Sequence, residues 1–418
     1  MARRPGNLPV DLSSFVGRAE ELAKGLARLA KGGLMTVTGP AGVGKSRTAL
    51  RLAARLGRRF GDGVWRAELS GTADPAAALA EALGLGGPAS APEIAAALRA
   101  RRLLVVLDTC EHLLGEVSEL AGALLRGAPG VAVMVTGRRR LGLPGERVLE
   151  LRPLPLTAAV RLFEDRAMAA DPGFALTPAA GPVVAEICAR LDGLPLAIEL
   201  AAARARSLSA RDLLEGLRDR LSLLTGVSRA ALPRHRDLRA AVEWSRALCD
   251  DEQRRLWTLL SALPGPFDLE DARRACGAGF AAERVAPVLT ELAEGSIVLR
   301  EPEGRHRMLE AYREVGLEPS GERWRPAVPQ PLRGEGRIPR PRQAGRMARP
   351  VGGALSVREL QVAELITEGL SNPEIAVRLD IAKRTVDAHV RNILTKGGLA
   401  SRTQVAAWVA ESDYQPSK

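Results

Sequence analysis

The residues with the sharpest chemistry are Gly39-Pro40-Ala41-Gly42-Val43-Gly44-Lys45-Ser46. Glycines at this spacing let backbone N–H groups turn inward around phosphate oxygens. Lys45 reaches the β and γ phosphates, and the Ser46 hydroxyl can ligate Mg²⁺. The apolar run Leu34 to Thr38 comes directly before and the helical run Arg47 to Leu56 directly after, which are the strand and helix that such a phosphate-binding loop (P-loop) requires. A second element, Leu103-Leu104-Val105-Val106-Leu107-Asp108, is an apolar strand ending in a carboxylate, which places Asp108 to hold the Mg²⁺ through water. Glu111 is the nearby carboxylate able to orient an attacking water; as a residue at a helix start it has an equally ordinary structural reading.

These residues need a scaffold. Strand-like runs at Leu34 to Thr38, Val64 to Leu69, Leu103 to Leu107, Val131 to Thr136 and Arg147 to Leu151 alternate with Ala/Leu-rich helical stretches, the pattern of a parallel sheet wound with helices. Residues 1–155 are therefore expected to form a P-loop α/β domain. From 156 to 227 the apolar positions follow helical spacing, as in Val183, Val184, Ile187 and Leu191, giving a helical domain. Residues 228–315 add further helices and then two short strand runs, Ile297 to Arg300 and Arg305 to Leu309, about the turn at Glu303-Gly304. Helices closed by one hairpin predict a winged helix.

Residues 316–354 carry seven Pro, seven Gly and 8 Arg against 3 Glu, with neither helical nor strand periodicity, and read as a disordered basic linker. After it, residues 355–412 are compact and helical. Ser356/Glu359 and Ser371/Glu374 stand at capping-box spacing. Ile375, Ala376 and Leu379 form the apolar stripe of a short helix, Asp380 to Ala382 make a turn, and a second helix starts near Lys383. At about 100° per residue, Val386, His389, Val390 and Ile393 fall on one side of that helix and Asp387, Ala388, Arg391 and Thr395 on the other. One side packs, with His389 there for packing, and the other is free to enter a DNA major groove. Arg391 can donate two bonds to guanine, Asp387 can accept from cytosine, and the Ala388 methyl can meet a thymine methyl.

Composition bounds the rest. The chain has 418 residues, 46% hydrophobic and 26% charged, an ordinary globular mix long enough for several cores. The net charge of +11 points to a polyanionic partner. No run approaches the ~18 apolar residues of a membrane span and the N-terminus has no signal-peptide pattern, so a cytoplasmic protein is expected. Cys110, Cys188, Cys249 and Cys276 lie far apart, without a Cys-x-x-Cys or a His at ligand spacing; they are read as buried apolar residues, not as disulfides or a zinc site.

Two resemblances follow. The stretches Phe15-Val16-Gly17-Arg18, the P-loop, Asp108-Thr109-Cys110-Glu111-His112, Thr136-Gly137-Arg138 and Gly193-Leu194-Pro195-Leu196-Ala197 occur in the order seen in STAND-class (NB-ARC-like) signalling ATPases, which the chain resembles over about 10–315. The resemblance implies that Val16 and Arg18 lie near the adenine and ribose of ATP or ADP, that Arg138 senses the γ-phosphate, and that Pro195 packs against the base. Two departures stand out: Thr109 follows the metal Asp where many relatives have a second acid, and the wing reads Met308-Leu309-Glu310 where relatives often have Met-His-Asp.

Residues 355–410 resemble the LuxR-type four-helix helix-turn-helix, with Gly397 where that family usually has Leu. This resemblance and the two helix faces assign DNA contact to Lys383, Arg384, Thr385, Asp387, Ala388, Arg391 and Lys396. The expectation is a multidomain α/β plus α protein: an ATP-binding transcriptional regulator of promoter DNA, working as a homodimer or higher oligomer, with at most slow ATP hydrolysis as a switch. Larger relatives place a helical-repeat sensor between winged helix and DNA-binding domain where this chain has only the linker, so the signal ligand or protein stays open. The alternatives are a pseudo-ATPase scaffold that binds nucleotide without cycling, or an ATPase whose turnover is its main function.

Overall fold

The computed structural model describes residues 5–11, 13–30, 32–87, 90–217, 224, 238–301, 303–318, 357–367, 372–379 and 382–397. The N-terminal part is a five-stranded parallel sheet in the order β2-β3-β4-β1-β5, with β1 at Gly33–Thr38, β2 at Val64–Glu68, β3 at Leu104–Asp108, β4 at Ala132–Thr136 and β5 at Arg147–Glu150. Every expected strand is present to within one residue. Every residue of β3 and β4 is buried, because helices cover both faces of a parallel sheet. Three helices, α3 (Pro75–Leu83), α4 (Ala91–Ala97) and α5 (Leu114–Gly127), pack on one face around Leu79, Ile94, Leu107 and Leu120. The helix α3 starts where Asp74 accepts the N–H groups of Ala76 and Ala77 with Pro75 at its first turn, and it ends at Gly84 in the left-handed conformation.

On the other face lie α1 (Ala19–Leu29) and α2 (Lys45–Leu56), followed by the helices α6 (Leu156–Ala170), α7 (Ala180–Arg190), α8 (Pro195–Ala202) and α9 (Ala210–Gly216). The next segment comprises α10 (Leu238–Ala247), α11 (Asp251–Ser261), α12 (Leu269–Cys276), α13 (Ala282–Glu294), the hairpin β6 (Val298–Arg300) and β7 (His306–Met308), and α14 (Glu310–Leu317). Asp250/Gln253 and Asp268/Asp271 are capping boxes that fix the starts of α11 and α12. The hairpin pairs Val298 with Met308 and turns at Gly304, whose φ is +78°, as the Glu303-Gly304 signal predicts.

One core runs through all three segments, from Met35 and Leu52 through Phe163 and Ile198 to Trp257 and Tyr312. The boundaries expected at 155 and 227 are therefore not breaks in packing; the described residues up to 318 belong to one compact unit, apart from those at 10–14. The linker expectation also shifts at its start. Gly316 is buried in α14, so close to Ser261 and Trp257 that a Cβ there would lie 2.0 Å from Ser261 Oγ. The remainder of the expected linker, from 319, lies outside the described residues.

The second unit contains α15 (Val357–Thr367), α16 (Asn372–Leu379) and α17 (Lys383–Gly397), with a core of Val362, Ile366, Ile375, Ala376, Val386 and Ile393. The helix-turn-helix pair is at the expected residues. Ser356, Ser371, the turn at 380–381 and the expected fourth helix lie outside the described residues. No helix among the described residues is long and apolar enough to cross a membrane, and all four cysteines are free and buried as expected.

Candidate functional site

The loop Gly39 to Lys45 leaves the C-terminal end of β1, the edge where open parallel sheets bind ligands. Its glycines are required for different reasons. Gly39 has φ +144° and a Cβ there would lie 2.5 Å from the Leu151 carbonyl oxygen; at Gly42 it would lie 2.9 Å from Leu196 Cβ. Gly44, at φ +94°, faces open space, so only its backbone conformation demands glycine. Gly44 is also the N-cap of α2, which has no side-chain cap, so the first amides of that helix are left for an anion.

A cavity of about 530 Å³ opens over this loop. Gly42, Gly44, Lys45 and Ser46 line one side, Thr109, Glu111 and Arg138 another, and Pro195, Leu196 and Leu200 of α8 a third. Ala241 and Trp244 of α10 also line it, as do Arg47 and Glu199. Lys45 Nζ donates to the carbonyls of Gly39 (2.9 Å) and Pro40 (3.1 Å) and lies 3.7 Å from Glu111 Oε1. Burial pushes its ammonium down to about 8, against the opposing pull of Glu111. The Glu111 side chain is 8% exposed, with Oε1 also 4.0 Å from Arg138 Nε, while its Oε2 is buried without a hydrogen-bond partner among the described residues. Arg138 donates to the Ala241 carbonyl at 3.4 Å. Lys45, Arg138 and the incompletely paired carboxylate of Glu111 thus meet at one part of the wall, while Pro195, Leu196 and Leu200 give another part apolar surface beside the Arg47–Glu199 ion pair.

Of the sequence candidates, Gly42, Gly44, Lys45, Ser46, Glu111, Arg138 and Pro195 come together at this cavity, and Gly39 closes the loop beneath it. Val16 and Arg18 do not line it. Arg18 stands behind the loop, donating to the Val43 carbonyl at 3.1 Å and to Glu21 at 2.9 Å, and Val16 packs on the core. Asp108 also departs from expectation. It is fully buried and absent from the cavity wall: Oδ1 accepts from Thr136 Oγ1 at 2.6 Å, and Oδ2 accepts from Arg66 Nη2 at 2.6 Å and Nε at 3.0 Å. A metal shared by Ser46 and Asp108 does not fit this arrangement, because the carboxylate already faces a guanidinium.

Sequence reasoning missed Arg66, Trp244 and Tyr312. An Arg inside a strand run is a visible anomaly that could have flagged Arg66. Nothing local marks Trp244, which reaches the cavity only because α10 folds back over it.

On α17, Val386 and Ile393 are fully buried, His389 and Val390 are half-buried, and Ala388 and Arg391 are exposed, so the described positions follow the packing and free sides read from the spacing. Thr385 is half-buried, its N–H bonded to the Ala382 carbonyl at 2.8 Å. Lys383, Arg384, Asp387 and Lys396 lie within α17, but their side chains are outside the described residues.

Residues 353–409 match the family of bacterial regulatory proteins called the luxR family. An uncharacterised protein of Mycobacterium tuberculosis is 37% identical over 324 residues, covering 74% of this chain and 82% of that protein. A second protein of that organism, named as an HTH-type transcriptional regulator, is 37% identical over 307 residues, covering 71% of this chain and 35% of its own length. The fold is similar to that of a Walker-type ATPase from Pyrococcus abyssi, with a TM-score of 0.53 at 14% identity over 74% of this chain and 99% of that one.

Proposed function

We propose that nucleotide held at the P-loop controls DNA binding in this chain, which belongs to the family of those mycobacterial proteins and is a LuxR-type DNA-binding regulator with an ATPase-like module. The observation that carries the proposal is the make-up of the cavity wall. Lys45 and Ser46 of the P-loop share it with Pro195 of the helical segment and with Ala241 and Trp244 of the winged-helix segment. A ligand touching all of them stabilises one packing of these segments over others, which is how occupancy becomes conformation.

In this reading the amides of Gly42 and Gly44 and the ammonium of Lys45 hold the β and γ phosphates of ATP or ADP, with the Ser46 hydroxyl beside them. Arg138, between Glu111 and the Ala241 carbonyl, carries the γ-phosphate state to α10. Pro195 and Leu196 pack on the base, and Arg18 holds the loop in shape through Val43. Glu111 orients water for slow hydrolysis. In the second unit the face of α17 bearing Ala388 and Arg391 reads bases in the major groove of promoter DNA, with Lys383, Arg384, Thr385 and Lys396 placed for the backbone and Asp387 for a cytosine. The working form is a homodimer or higher oligomer in the cytoplasm that answers a signal ligand or protein. The engagement of Asp108 by Arg66 also favours a second reading, a scaffold that binds nucleotide without turning it over.

Thermal denaturation tests the nucleotide reading. ATP or ADP at about a hundred times Kd stabilises a folded-state binder by about 2.7 kcal/mol, so the melting temperature rises. Lys45→Ala abolishes the rise; an equal rise in that variant overturns the P-loop assignment.

A further inference from the structure

We propose that Arg66 takes the place of a metal ion at Asp108, so that this chain binds nucleotide with little need for a divalent cation; the inference rests on the nucleotide reading of the P-loop. In the parallel register of β2 and β3, Arg66 pairs with Val106 and Glu68 with Asp108. Arg66 and Glu68 are two residues apart on β2 and share a face. From there the guanidinium reaches along the sheet to Asp108 while also pairing with Glu68. One cation thereby serves two carboxylates.

The second oxygen of Asp108 is fixed as well. The Thr136 hydroxyl accepts the Thr109 N–H at 2.8 Å, which directs its single proton to Asp108 Oδ1 at 2.6 Å. Arg66 and Thr136 thus both donate to the Asp108 carboxylate, whose side chain is 1% exposed. Magnesium keeps several of its own waters and needs carboxylate lone pairs that face them. A cation entering here would meet the guanidinium first and would have to displace it from two carboxylates.

The phosphate charge that a metal usually neutralises falls instead to Lys45 and Arg138, both on the cavity wall, and to the uncapped start of α2. Ser46 then acts as a hydrogen-bond donor to phosphate and not as a metal ligand.

Titration of the full-length chain with fluorescent ADP and ATP analogues, in excess Mg²⁺ and in excess EDTA, tests this. The expected affinities in the two conditions lie within about tenfold of each other. Arg66→Met frees Asp108, so EDTA should weaken that variant by more than about tenfold, and Mn²⁺ should bind together with nucleotide, read from water-proton relaxation. Arg66→Lys, which keeps the charge, should behave as wild type. A wild-type chain that loses more than about tenfold in EDTA overturns the inference whether or not Arg66→Met folds, and so does a folded Arg66→Met without metal dependence. Absence of binding in both conditions instead overturns the nucleotide reading itself.

Discussion

The N–H of Ala41, inside the P-loop, donates to the hydroxyl of Tyr312 at 2.8 Å, although the two residues lie 271 positions apart. Tyr312 is fully buried in α14 and stacks on Trp257, with ring centroids 5.6 Å apart, and the Trp257 indole N–H donates to its carbonyl at 2.8 Å. Helix α14, at the far end of the first unit's described residues, is thus tied directly to the P-loop.

Tyr312→Phe removes that bond and little else. A buried amide left without its acceptor costs about 1–3 kcal/mol, so urea denaturation should show a loss of that size. Nucleotide should also change Trp257 emission less in the variant than in wild type. Equal stability and an equal fluorescence response would show that the contact transmits nothing.

Lys45 should make nucleotide affinity depend on pH. Its ammonium titrates at about 8 in the cavity, below the ordinary 10.5, because burial disfavours the charge. Phosphate oxygens favour the charge, so binding at pH 9 takes up a proton and affinity falls as pH rises through 8. Calorimetry in buffers of different ionisation enthalpy should detect that uptake in wild type and not in Lys45→Met. Without nucleotide the sign reverses. Between pH 8 and 10.5 the unfolded chain binds the extra proton, so wild type should gain stability with rising pH relative to Lys45→Met.

Much of this was legible in the sequence because periodicity and turn chemistry are local. The five strands, the Glu303-Gly304 turn and the start of α17 at Lys383 follow from residues within a few positions of one another. What was not legible is long-range. The pairing of Arg66 with Asp108 depends on the β2–β3 register, and the Tyr312 contact on how α14 docks. Trp244 enters the site only through the fold of α10. The resemblance placed Arg18 beside the nucleotide, while its guanidinium instead braces the Val43 carbonyl. Gly316 opens a Pro- and Gly-rich stretch without periodicity, the sequence mark of a linker, but it is the residue that lets α14 lie against Trp257 and Ser261.

On the DNA side, Arg391→Ala should cost about 1–3 kcal/mol on the preferred site and much less on random DNA, since a bidentate base contact is lost only where the right base is present. Lys396→Ala should weaken all sequences alike and lower the salt slope by about one. A uniform loss with a shallower salt slope in Arg391→Ala would make Arg391 a phosphate contact and place a different face of α17 in the groove.

The most direct test of nucleotide control is the affinity of the full-length chain for its own site, selected from random-sequence DNA, measured without nucleotide, with ADP and with a non-hydrolysable ATP analogue. Coupling of ordinary size, about 1–3 kcal/mol, should separate the ADP and ATP-analogue affinities by about five-fold or more, and Lys45→Ala should collapse the difference. Equal DNA affinity in all three states, in a protein shown to bind both nucleotides, would contradict the account.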